Sequence, residues 1–450
     1  MISIYINNQL ADYFGDITIK KDNPLFSNFD VEPTEHTYTL TLPTTATNVK
    51  IFSLIQYTLA TPQKLPARIE IDGVPVLEGS CNVQSWNDSG YSVYFSGIAP
   101  YEDVNISPIK KMLGDTRLLG EVLRTNKDWY PNGIYIENYR EGVFIRENDN
   151  PAVVVSSVLQ GYIDVEQSTP YIYNTILSNF AFNCSYLCDK IASAYGFQID
   201  LSPNLDNVFV YANDVARLKF IGEKYYAPEK SLPNLTAKTF LQNIAIACGC
   251  RINIDLRDNK ITFIDLGNTE FTANKLQINS YSLDWANEFA NVGEIKYKDI
   301  EEDKGERGQT EFVMQYSSPN GIFIKDKEKK LHELAFSYPM LKNESIVVPL
   351  RGEEKEDEVK DMWLVSYNEN DTYLSTPPQG VNLNLPGKFQ LLKNIANRHT
   401  SLKLTARINP IQFTTLNLWQ PIYVDNIGKV FVKSISFKSN GESEIEGYLY

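Results

Sequence analysis

Ala67-Arg-Ile-Glu-Ile-Asp-Gly-Val-Pro-Val-Leu77 alternates apolar and polar residues on either side of Asp72-Gly73. A period of two marks a strand with one face on a core, and Asp-Gly between two such runs suits the left-handed positions of a tight hairpin turn. The alternation recurs nearby. Ile2 to Ile6 shows it, Tyr38-Thr-Leu-Thr-Leu42 repeats it, and Tyr91-Ser-Val-Tyr-Phe-Ser-Gly97 gives a further strand before the turn around Pro100. Residues 1 to about 105 therefore predict an all-β domain.

The chain has 450 residues, too many for one ordinary core, and two to about four folding units follow from usual domain sizes. Hydrophobic residues make up 43% and charged residues 22%, which places the chain among globular proteins and not among disordered or fibrous ones. Aromatic content is 12%, with 27 Tyr and 22 Phe amid Val, Ile and Thr, a mixture that suits a pleated sheet. The 56 acidic and 42 basic residues leave a formal charge of −14, a field that repels phosphate. Sequence-specific nucleic-acid binding is not expected. Met1-Ile-Ser-Ile-Tyr-Ile reads as a strand and not as a signal peptide, and no uncharged apolar run approaches the ~20 residues of a membrane span. These features predict no membrane anchor and synthesis in the cytoplasm.

Between about Tyr101 and Ala290 the period changes. Ile176 to Tyr195 predicts a helix with Phe180, Cys184, Leu187, Ile191 and Ala194 on one stripe. Thr236 to Cys248 predicts a second, with Phe240, Leu241, Ile244 and Ala247 inward, Thr236 capping its start and Gly249 ending it. Laying residues 187–199 over 240–252 aligns Ile191 with Ile244, Ala192 with Ala245, Ala194 with Ala247, Gly196 with Gly249 and Ile199 with Ile252. This helix-glycine-strand unit is read equally well as an internal duplication or as the ordinary way an α+β domain connects its elements.

After Asn291 strands return at Val292 to Tyr297 and Thr310 to Gln315, around the charged loop Glu301-Glu-Asp-Lys-Gly-Glu-Arg-Gly308. Glu353-Glu-Lys-Glu-Asp-Glu-Val-Lys-Asp361 reads as another solvated loop. Gly387 to Arg398 predicts a helix. Ser401-Leu-Lys-Leu-Thr-Ala-Arg-Ile408, Pro421-Ile-Tyr-Val-Asp425 and Val430-Phe-Val-Lys-Ser-Ile-Ser-Phe437 close the chain in sheet. The expected layout is 1–105 as an all-β domain, 106–290 as an α+β middle region, and 291–450 as a second β-rich region with a charged insertion around 321–400.

Catalytic chemistry has few footholds. His36, His332 and His399 stand in three separate contexts without a ligand-spaced partner. Cys81, Cys184, Cys188, Cys248 and Cys250 are an odd number of scattered cysteines, and neither Cys184-x-x-x-Cys188 nor Cys248-x-Cys250 has the spacing of a zinc knuckle. They read as reduced, packed thiols. Dinucleotide, phosphate-loop and serine-elbow signatures are absent. Asp72 with Glu78 and Asp258 with Asp265 are carboxylate pairs of the kind an acidic chain supplies by chance, though glycosidase geometry is a spatial matter that sequence hides. No catalytic, cofactor or metal residue is assigned, and the chain is expected not to be an enzyme.

Three segments carry a family resemblance. Tyr38-Thr-Leu-Thr-Leu-Pro-Thr-Thr-Ala-Thr-Asn48, followed about 20 residues later by Ala67-Arg-Ile-Glu-Ile-Asp-Gly-Val-Pro-Val-Leu-Glu-Gly79, resembles the N-terminal part of tail proteins in Bacteroidetes phages and prophages. Leu235 to Asp255 with Asn259-Lys-Ile-Thr-Phe-Ile-Asp265 looks like the helix and hairpin of phage baseplate hub proteins, and Pro421 to Tyr450 resembles their closing β-segment. The resemblance implies a virion protein of the tail that forms part of the genome-delivery conduit, with two tail-tube-like β-barrels, at 1–105 and 291–450, separated by α+β insertions and with strands free to be exchanged between barrels. It also implies a trimer joining a six-fold tube to a three-fold spike, since two barrels in each of three chains match a hexameric ring. Tube, spike and other baseplate proteins are the implied partners. The charged loops at Glu301 and Glu353 fall outside the pattern. A second class stays open: a carbohydrate-binding or carbohydrate-cleaving β-protein using Trp86, Trp129, Trp285, Trp363 and Trp419 as stacking platforms, against the alternative that these pack in cores.

Overall fold

A computed structural model describes residues 1–26, 36–52, 64–97, 144–147, 150–164, 169–201, 207–212, 235–255, 259–267, 270–284, 292–298, 330–338, 340–342, 345–349, 362–366, 379–383, 387–398 and 400–450, with 112, 115, 117, 122, 134–135, 205, 225–226 and 321–322 as isolated pieces. The chain is a β-rich α+β protein. It divides into two compact units, one of Met1–Ser107, Asn268–Asn291 and Leu391–Tyr450, the other of Pro108–Gly267 and Val292–Gln390.

The first unit is built on a 14-stranded sheet drawn from both chain ends. Its path runs Ile278–Asp284, Ser401–Ala406, Ser443–Leu449, Gly428–Lys438, Thr18–Asp22, His36–Thr37, Gly90–Gly97, Val74–Asn87, Leu65–Ile71, Ile2–Ile6 and Gln9–Ala11. Thr18–Asp22 is the seam: Ile19 lies opposite Phe437 and Lys21 opposite Ile435, antiparallel. Asn23 fastens it, its side-chain amide donating to the carbonyls of Leu418 (2.7 Å) and Val432 (2.6 Å) while its oxygen accepts from the Leu25 amide. Among the described residues no sheet closes into a barrel.

Alternation does what the sequence suggests. Ile4 and Ile6, Ile69 and Ile71, Val93 and Phe95, Leu402 and Leu404, and Ile435 and Phe437 are all buried in one continuous core, while their neighbours along each strand face away. Asp72 and Gly73 both take positive φ, 51° and 78°, the conformation of the tight hairpin turn. The predicted Tyr38–Leu42 run is split: His36–Thr37 and Leu40–Leu42 are separate short strands, and Tyr38 between them is exposed.

In the second unit, Ile176 to Tyr195 is not one helix. Thr169–Asn183 is a strand of 15 residues paired along its length with Asn150–Asp164, and the helix starts only at Cys184 and ends at Ala194. The reason is local: Asn183 is the N-cap, its side chain accepting from the Tyr186 amide, and Ile176, Phe180 and Phe182 are strand formers already in a ladder. Leu187 and Ile191 are buried as expected, but Ala194 is exposed.

The second predicted helix forms at Ala237–Ala247, with Thr236 as N-cap accepting from the Thr239 amide. Gly249 follows at φ 83° and Gly196 occupies the matching place at φ 77° after the first helix. The two strands that follow, Gln198–Asp200 and Cys250–Asp255, flank the same strand Lys260–Asp265, parallel on one side and antiparallel on the other. The helix predicted at Gly387 to Arg398 spans Gln390–Arg398. Val292–Lys296 is a strand, whereas the strand at 310–315 and both charged loops lie outside the described residues.

Candidate assembly surface

The groups that chemistry would use are dispersed or engaged in packing. His36 sits in the first unit opposite Ser96, and His332 sits in a strand of the second; His399 lies outside the described residues. Asp72 forms an ion pair with the Met1 ammonium, Asp265 accepts from the Gly267 amide (2.7 Å), and Asp258 lies outside the described residues. Among the described residues no three His, Cys, Asp or Glu side chains are grouped to hold a metal. All five cysteines are buried with free thiols. Burial pushes the Cys248 thiol up to about 11 and Cys81 up to about 12, so neither is a nucleophile near neutral pH.

Beside Cys248 and Cys250 lies the partly buried Lys388 ammonium, which donates to the carbonyls of Ala247 and Asn382, both at 2.9 Å. Ala247 is the last residue of its helix, so the cation satisfies a carbonyl where the helix dipole is negative. Burial lowers the Lys388 pKa. This is a helix cap, not a reacting pair.

Of the five tryptophans, Trp363 and Trp419 are buried, and Trp129 and Trp285 lie outside the described residues. Trp86 is 38% exposed near the tip of the Val74–Gly97 hairpin.

The surface that stands out is the pair of edges of the 14-stranded sheet. One edge, Gln9–Ala11, is three residues long and is pinned at its end. Asp12 gives its amide to the Asn48 oxygen (3.0 Å), and the fully buried Asn48 returns its amide to the carbonyls of Asp12 and Pro43 (2.9 and 2.8 Å). Thr45 caps the short helix Ala46–Ile51 and its hydroxyl donates to the Asp12 carboxylate (2.6 Å). The Thr-rich turn ending in Asn48 is thus a lock on this edge. Leu10 and Phe14 remain exposed beside it.

The other edge, Ile278–Asp284, is seven residues long. It pairs with Ser401–Ala406 and stands at the end of the sheet's strand order. Tyr281 faces Leu404 and Leu283 faces Leu402, both core residues, yet Tyr281 is 51% and Leu283 is 37% exposed. The core therefore runs out beneath this strand. Its other face is satisfied internally: Ser280 bonds Thr405 (2.7 Å) and Asn279 donates to Glu442 (2.7 Å). The strand has no proline, glycine or lysine, the residues that usually blunt an edge. Sequence reading passed over this stretch, although its lack of breakers and near lack of charge was a readable signal.

No family model matches the chain, and no curated protein matches it. Among solved structures it is similar to a 43 kDa tail protein of prophage MuSo2 from Shewanella oneidensis, at 9% identity and TM-score 0.37 over 99% of this chain and 96% of that one. It is also similar to a tail protein from Neisseria meningitidis MC58, at 12% identity and TM-score 0.35 over 99% and 95% of the two chains. A third is prophage tail protein gp18 from Listeria monocytogenes EGD-e, at 9% identity and TM-score 0.29 over 100% and 94%.

Proposed function

We propose that the chain is a structural subunit of a phage tail, of the baseplate hub kind, which works by assembling with copies of itself and with neighbouring tail proteins. The observation that carries the reading is the composite sheet, in which strands from both chain ends form one layer with an exposed apolar edge. A strand at the end of a sheet with half-exposed apolar residues is suited to accept another chain. Three segments in the order expected for hub proteins support the same reading, and in it the strands at the two chain ends play the part of tail-tube-like barrels within a trimer between tube and spike. Dispersed histidines and buried, protonated thiols fit a role without catalysis.

The test is electron microscopy of tails carrying a tag on this protein. Three copies in one ring between tube and spike is the expected result, and six or more copies per ring overturn the trimer. The exposed Trp86 keeps one alternative, glycan binding at a hairpin tip. A glycan array on which wild type binds and Trp86→Ala does not would favour it.

A further inference from the structure

The turn between the strands Gly428–Lys438 and Ser443–Leu449 carries Asn440-Gly441, and we propose that it is a site of spontaneous covalent modification, where Asn440 loses its side-chain amide to give aspartate or isoaspartate. Asparagine is among the chemically labile residues, and the reaction is intramolecular. The main-chain nitrogen of Gly441 attacks Cγ of Asn440, and the side-chain nitrogen leaves as ammonia, carrying the proton of that amide. Solvent water then opens the succinimide ring. Opening at one carbonyl gives aspartate; opening at the other gives isoaspartate, whose main chain runs through Cβ and Cγ. Asn440 and Gly441 are both exposed. Glycine has no Cβ to crowd the attack, and Gly441 stands at φ 123°. Among the described residues nothing hydrogen-bonds the Asn440 side chain or the Gly441 amide, so both reacting groups are uncommitted. Other exposed asparagines are held or crowded. Asn87 and Asn417 accept from the amides of Ser89 and Trp419 (both 2.9 Å) and precede Asp88 and Leu418. Asn409 accepts from Gln412 (2.8 Å) and precedes Pro410, which has no N–H to attack with. Asn132 and Asn320, the other asparagines before glycine, lie outside the described residues.

The product acts on the seam of the sheet. Ser439, at one side of the turn, is clasped twice to the N-terminal part of the chain: the Ile17 amide donates to its hydroxyl, and its own amide donates to the Ile17 carbonyl, both at 2.9 Å. At the other side the buried Ser443 hydroxyl accepts from the Lys438 amide (3.2 Å). Isoaspartate lengthens the main chain between Ser439 and Ser443 by one atom and adds a carboxylate close to Glu442, so the turn relaxes and the clasp on Ile17 loosens. Aspartate adds the charge alone and leaves the spacing of the clasps intact.

The inference is independent of the tail reading. Full-length protein held folded in mildly alkaline buffer, then digested with trypsin and read by mass spectrometry, tests it. Cleavage after Lys438 releases Ser439–Tyr450, which holds no other asparagine and no glutamine, so deamidation of this peptide reports Asn440 alone. The peptide should gain the mass of one deamidation and become a substrate for isoaspartyl methyltransferase, several-fold faster than the peptides containing Asn87, Asn409 or Asn417. The same peptide from Asn440→Gln should stay unmodified. An Asn440 that stays intact while it converts in the urea-unfolded chain overturns the proposal, as does conversion no faster than at those three asparagines. Hydrogen exchange reads the effect on the seam. Peptides containing Ile17 and Ser439 should exchange several-fold faster in the aged wild type than before ageing, and unchanged in Asn440→Asp, which carries the charge without the longer main chain. Unchanged exchange after ageing, or equal acceleration in Asn440→Asp, overturns the loosening.

Discussion

Asn48 shows how a single side chain holds the blunted sheet edge. It is fully buried and its amide is spent on Asp12 and Pro43. Asn48→Ala strands these backbone groups and should cost about 2–3 kcal/mol, read as a lower denaturation midpoint with unchanged slope. The thiols give a second residue-scale expectation. Burial raises Cys248 to about 11 and Cys81 to about 12, above an ordinary value of about 8.5. A raised folded pKa means stability that is complete below the unfolded pKa and is lost as pH climbs toward the folded one. Thermal stability should therefore fall between about pH 9 and 11, each thiol contributing up to about 1.4 kcal/mol per pH unit. Cys81→Val should flatten that slope; an identical slope would remove the thiol from the account. Asn48 was legible as part of a motif, but the bonds that give the motif its purpose join residues 36 apart and leave no local pattern.

At the scale of elements, the Ala237–Ala247 helix is the clearest case of sequence becoming structure. Its cap, its apolar stripe and its terminal glycine all act as read. Ile244 is fully buried, so Ile244→Ala should cost roughly 2–5 kcal/mol, and an unchanged melting midpoint would place that side chain elsewhere. The neighbouring helix was read too long because Phe180 and Cys184 satisfy a helical spacing by chance across a strand-to-helix junction. Asn183, a good capping residue in the middle of that stretch, marked the true start. The helix Pro410–Thr415 escaped notice altogether. Its six residues place only Phe413 in the core, too few for a period, although Asn409 and Gln412 form a capping box around Pro410. The strand Ile278–Asp284 left a readable signal in its lack of breakers, but its place at the rim did not: whether a strand lies at the rim depends on which strands pair, and that is decided by residues more than a hundred positions away.

For the whole molecule, charge is the first consequence. With a net −14 and the cations Lys20, Arg68, Lys433 and Lys438 each beside a carboxylate at 3.7 Å or less, the sheet offers little for phosphate. Purified protein should show no DNA binding in an anisotropy titration to micromolar concentration at low ionic strength, where phosphate contacts are strongest. Tight binding that weakens steeply with salt would reveal a basic surface and overturn this expectation. The joining of both chain ends in one sheet was the least legible feature, because an alternating strand carries no mark of its partner. That joining has a consequence in time. The Ile17 amide bonds the side chain of Ser439, 422 residues away, so the seam beside Thr18–Asp22 waits for nearly the whole chain to be made. At synthesis rates of about 5–20 residues per second, the delay is roughly 20–80 s. Through that interval the N-terminal strands sit on the ribosome with Ile19 uncovered, and a message broken before Gly428 yields a product that can never complete its sheet. Completion of this sheet thus waits on translation of the chain's last strands.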